Sequence, residues 1–71
     1  MTDWSAEIMT DPMRDHKLHV ELREGGNYRA RLYRDDVGMI QLWFYKGTDT
    51  TIPVDWLLSI IERFSRESLG A

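Results

Sequence analysis

Between Lys17 and Leu32 the chain alternates apolar and polar residues with a period of two. Leu18, Val20 and Leu22 are interleaved with Lys17, His19, Glu21 and Arg23. Tyr28, Ala30 and Leu32 are interleaved with Arg29, Arg31 and Tyr33. A β-strand sends successive side chains to opposite faces, so this pattern predicts two half-buried strands. Between them, Glu24-Gly25-Gly26-Asn27 supplies the positive-φ residues of a tight hairpin. Asp35-Asp36-Val37-Gly38 marks a second turn, with Gly38 suited to the left-handed position that ends a longer hairpin loop. An aromatic third run, Met39 to Tyr45, follows. Lys46-Gly47-Thr48-Asp49 closes it, and Thr50-Thr51-Ile52 is expected to add a short fourth strand.

After Pro53 the period changes. Pro53 is tolerated in a first helical turn, Asp55 near the start complements the dipole, Glu62 and Arg66 form an i,i+4 pair, and Gly70 is a stop signal. The polar set Asp55, Ser59, Glu62, Arg63 and Arg66 falls in one sector of the wheel. The apolar residues Val54, Trp56, Leu57, Leu58, Ile60, Ile61 and Phe64 spread over about 200°, wider than one contact needs. The expected fold is α+β: a four-stranded antiparallel meander over residues 17–69 with one C-terminal helix on one face (ββββα).

Residues 1–16 read as an acidic arm, ordered in part at most, with Asp3, Glu7, Asp11 and Asp15 against Arg14. Trp4 and Ile8 stand four apart, which suits a short helical turn, and Asp11-Pro12 suits a turn or a new helix start. The alternative is a frayed terminus, or an arm whose Trp4 and Ile8 pack over Tyr33, Trp43 and Tyr45.

Seventy-one residues, 42% of them hydrophobic, make one foldable domain. Such a domain gains only ~3–5 kcal/mol from its core without a staple. The absence of cysteine removes disulfides, thiolate zinc sites and cysteine nucleophiles from consideration. A second copy of the chain is then the expected stabiliser, and the wide helix stripe nominates Trp56, Ile60 and Phe64 for a dimer or partner interface. No apolar run approaches the ~18 residues that span a bilayer, and the N-terminus lacks the charged and apolar regions of a signal peptide. A soluble, cytoplasmic protein with no membrane partner is expected.

With the aliphatic side of each strand inward, Leu18, Val20, Leu22, Tyr28, Ala30, Leu32, Ile40, Leu42 and Phe44 line the helix-covered face. The other face collects Lys17, His19, Arg23, Arg29, Arg31, Tyr33, Gln41, Trp43 and Tyr45. Cations neutralise phosphates and flat rings stack on unpaired bases, so this face suits single-stranded nucleic acid, with Lys17, Arg23, Arg29, Arg31 and Lys46 on phosphates and Tyr33, Trp43 and Tyr45 on bases. Trp, Tyr and Arg are equally the residues of protein interfaces, and a net charge of -3 is poorly suited to a polyanion, so an acidic interaction module is the alternative. The nucleic-acid reading requires guanidinium groups and rings to project from one uncovered side. Neighbouring carboxylates, or the first dozen residues lying over that side, remove it.

The segments Tyr28-Arg-Ala-Arg-Leu-Tyr, Gly38-Met-Ile-Gln-Leu-Trp-Phe-Tyr and Thr51-Ile-Pro-Val-Asp-Trp-Leu-Leu resemble the second strand, third strand and strand-to-helix junction of the positive-cofactor-four type of transcriptional coactivator. The resemblance covers roughly Leu18 to Phe64. It implies a dimer that binds single-stranded DNA and regulates transcription through basic and aromatic sheet residues.

No catalytic constellation emerges. His16 and His19 are three apart, on opposite faces of a strand, and the serines at 5, 59, 65 and 68 lack a base and an orienting acid in recognisable spacing. Asp35-Asp36 lacks the oxygens of a calcium loop, and Gly25-Gly26 precedes no helix. No cofactor, metal or enzymatic activity is expected.

Overall fold

The computed structural model describes residues 3–47 and 51–69. Four antiparallel strands, β1 (Trp4–Asp11), β2 (Lys17–Glu24), β3 (Asn27–Arg34) and β4 (Ile40–Phe44), form one open sheet in sequence order, and helix α1 (Val54–Leu69) follows. The α+β, ββββα architecture is as the periodicity predicts, but its strands are counted differently. The acidic arm is a full strand, not a helical turn or frayed end. All eight of its residues pair with β2, from Trp4 opposite Glu24 to Asp11 opposite Lys17. Of the strand expected at 50–52, Thr51 and Ile52 belong to no strand, and Thr50 lies outside the described residues, as does Gly70. The segments that resemble that coactivator family's second and third strands are therefore third and fourth in this sheet.

Turn chemistry sets the register. Gly25 and Gly26 adopt φ of 57° and 85°, the pair of positive values a two-residue hairpin of right-twisted strands requires. At the β3–β4 turn, the Asp35 carboxylate accepts from the Val37 and Met39 amides and from Gln41 Nε2, and Gly38 takes φ 87°. These bonds to the charged form, the Met39 amide foremost, hold the Asp35 carboxyl below its ordinary 3.8. Between β1 and β2, Asp11 caps a 3-10 turn over Pro12–Arg14 by accepting from the Met13 amide.

The core lies between the sheet and α1. Val20, Leu22, Ala30, Leu32 and Phe64 are fully buried, and Trp4, Ile8, Leu18, Ile40, Trp56, Leu57, Ile60 and Ile61 pack around them. Trp4 and Ile8 thus point to the helix side, and the Trp4 and Trp56 rings lie 5.7 Å apart. This corrects two expectations: the arm does not cover the aromatic face, and Trp56, Ile60 and Phe64 face their own sheet. Phe64 is 0% exposed, so it is unavailable to a partner. At the other flank, Arg34 of β3 donates Nε to Ser68 Oγ (2.7 Å), Nη2 to Ser65 O (3.3 Å) and Nη1 to Gly38 O, tying the end of α1 to the β3–β4 turn.

An α-helix is ~10–12 Å wide, whereas four strands ~4.8 Å apart span about 14 Å between their outer axes. Helix α1 lies over β2 and reaches β1 through Trp56, so of β4 only the Ile40 end packs against the core. Leu42 and Phe44, on the helix side of β4, remain 37% and 39% exposed.

Removing the one aromatic plug of this core has a defined cost. Phe64→Ala is expected to lose about 3–5 kcal/mol, which matches the whole margin of so small a domain. Urea titration by circular dichroism should find it largely unfolded before denaturant is added. Asp35 carries a pH signature. Its folded pKa is lowered, so its stabilisation is full above about pH 4 and is lost as pH falls through the lowered folded value. The midpoint difference between wild type and Asp35→Ala should therefore be largest near neutrality and shrink below pH 4.

Candidate functional site

The sheet face opposite α1 carries an ordered array. Cross-strand partners share a face, so the register sets its rows: Ser5, Arg23 and Tyr28; Glu7, Glu21, Arg31 and Trp43; Met9, His19, Tyr33 and Gln41; Asp11 and Lys17. Tyr28 is here because of a bulge. Leu22 pairs with Ala30 but Arg23 pairs with Tyr28, which leaves Arg29 as an extra residue and turns Tyr28 away from the helix. Its expected inward position is corrected accordingly.

Three rings form the centre of the array. Tyr28 lies 5.3 Å from Tyr45 and 6.4 Å from Trp43, and Trp43 and Tyr45 meet edge-on at 6.0 Å. All are within the range of favourable aromatic pairs. Trp43 is 42% exposed and Tyr45 38%. The Arg31 guanidinium lies 5.3 Å from the Trp43 ring centre and 5.7 Å from that of Tyr33, and its buried Nε has no hydrogen-bond partner among the described residues. Arg14 approaches the Tyr33 ring to 5.2 Å, brought there by the Pro12–Arg14 turn. Burial pushes the Tyr28 hydroxyl above its ordinary 10.0. The charge of Arg31 opposes that shift and the charge of Glu21 adds to it.

The cations expected to meet phosphate stand differently. Arg23 is ion-paired to Glu21, and Glu21 Oε2 is also 3.9 Å from His19 Nε2. Arg29 Nε lies 3.3 Å from Glu24 Oε1. Lys17 stands opposite Asp11, and the Lys46 ammonium lies 5.5 Å from the Tyr45 ring. Glu7, Asp11 and Glu21 thus share the face with Lys17, Arg23 and Arg31, and Arg14 and Lys46 add two cations at its rings. The structure brings Arg31, Tyr33, Trp43 and Tyr45 together as the alternation implies. Tyr28, Arg14 and Glu7 are members of the face that alternation alone does not find. Tyr28 is hidden by the bulge, and the other two by the reading of residues 1–16 as an arm.

No group of three or more potential metal ligands occurs among the described residues, and no helix there is long and apolar enough to cross a membrane. Compared with protein-family models, curated proteins and solved structures, the chain matches none.

The opposed influences on Tyr28 are separable by titration. Absorbance in alkali should show the Tyr28 step above 10.0, and Glu21→Gln should bring that step down while Arg31→Gln moves it further up.

Proposed function

We propose that this protein is a small non-enzymatic interaction module that binds another protein through the Tyr28–Trp43–Tyr45 cluster and Arg31. The observation that carries this reading is that the arginines of the face are already engaged by their own chain. Arg23 is paired with Glu21, and Arg31 and Arg14 lie over rings, which supports an aromatic contact over phosphate binding. A cluster of partly exposed Trp and Tyr around an Arg has the composition of an interface hot spot. The partner such a face suits presents an apolar side chain to the rings and a carbonyl or carboxylate to Arg31. The flanking Glu7 and Lys17 form the polar rim.

The same rings beside Arg31 leave single-stranded nucleic acid as the competing ligand, and one experiment separates the two. The protein is used to capture partners from cells that produce it, and affinity for the purified partner is then measured for wild type, Trp43→Ala and Arg31→Ala. Labelled single-stranded oligonucleotide is titrated in parallel at low and high salt. The expected result is a partner whose affinity falls about thirtyfold or more in Trp43→Ala, a hot-spot loss of ~2 kcal/mol, with no oligonucleotide binding at low salt. Salt-sensitive oligonucleotide binding lost in Trp43→Ala would replace the protein partner by nucleic acid. A protein partner insensitive to both variants would move the site elsewhere.

A further inference from the structure

The two edges of the sheet differ in kind. The β1 edge carries Glu7 and Asp11 within the strand and Asp3 immediately before it, charges that deter pairing with another chain. The β4 edge reads Ile-Gln-Leu-Trp-Phe, has no charge, proline or glycine, and pairs on one side with β3 and on the other with no strand among the described residues. Apolar surface on β4 is exposed on both faces of the sheet: Leu42 and Phe44 on the helix side, Trp43 on the other. Helix α1 adds to the first. Trp56 faces β1, whereas Val54 and Leu58 fall on the opposite flank of the wheel, the flank that Ser65 and Ser68 share where Arg34 reaches them, and they are 64% and 57% exposed. An uncharged edge strand and the apolar Val54–Leu58 end of that helix flank therefore border the same strip.

From this juxtaposition we infer that β4 is a homodimer edge: a second copy pairs its own β4 antiparallel to it about a two-fold axis at Leu42, giving one continuous eight-stranded sheet. The sequence of β4 is self-complementary in that register. Leu42 meets Leu42, Ile40 meets the second copy's Phe44 on the helix side, and Gln41 meets the second copy's Trp43 on the other, so no like charges are opposed. The strip that α1 is too narrow to cover is then closed by Val54 and Leu58 of the two helices. Charge favours this edge over the other. Each copy is net -3, but its acidic β1 lies about 14 Å from β4, beyond a Debye length of ~8 Å at physiological salt, and pairing β1 with β1 would instead oppose carboxylates. The inference goes beyond the outer-face reading and does not depend on it, because Leu42, Phe44, Val54 and Leu58 lie on the helix side.

The chain has no cysteine, so a single introduced thiol reports the axis cleanly. Sedimentation at micromolar concentration should give twice the chain mass for wild type. Leu42→Lys and Phe44→Lys, both at partly exposed positions, should halve that mass with unchanged far-ultraviolet circular dichroism. Leu42→Cys should form a disulfide-linked dimer on mild oxidation, and Ser59→Cys on the polar face of α1 should not. The cysteine variants keep the test decisive where a lysine variant fails to fold. A monomeric wild type, including one that captures an extended peptide on β4, overturns the inference. A dimer unaffected by both lysines, one linked through Ser59→Cys but not Leu42→Cys, or open-ended growth beyond two copies overturns it as well.

Discussion

One helix is narrower than the sheet it must cover, and most of the molecule's surface follows from that mismatch. Phe64 and its neighbours bury the middle of β2 and β3, and Trp56 on Trp4 extends the cover to β1. The width is then exhausted. What remains is an apolar margin along β4 and a second face of the sheet on which no further strand or α-helix packs among the described residues. The Arg34 link ties the end of α1 to β3.

The open face is stabilised from within. Cation–π contacts hold Arg31 between two rings, and Glu21 gathers Arg23 and His19 around it. Such cross-strand pairs are worth fractions of a kcal/mol each, but together they order the side chains before any ligand arrives. Side chains already ordered have less conformational entropy left to lose. Glu21 offsets the charge of Arg23, whereas Arg31 keeps its charge over the rings.

How much of this was legible in the sequence depends on which period each segment obeys. The two-residue alternation of β2 and β3, the paired glycines and the Asp35–Gly38 turn were readable because each has only one physical solution. Residues 4–11 were not, because Trp4 and Ile8 are four apart, a spacing that an α-helix and one face of a strand both satisfy. Ala6 and Thr10, the intervening members of that face, are too weakly apolar to decide. Tyr28 changed faces because a single extra residue, Arg29, reverses every position before it, and nothing local to the sequence marks the bulge. The helix wheel showed that the apolar stripe is too wide but not where its centre points. Its true centre includes Phe64, and its surplus is Val54 and Leu58.

Helix α1 covers one face of the sheet and leaves the Arg31–Trp43 face open. Proton–proton nuclear Overhauser spectroscopy on the intact chain measures this directly. Cross-peaks are expected from the Phe64 ring to the methyl groups of Val20, Leu22 and Leu32, and none to the rings of Tyr33 or Trp43. Cross-peaks from Phe64 to Tyr33 or Trp43 would put the helix on the opposite face and contradict that arrangement.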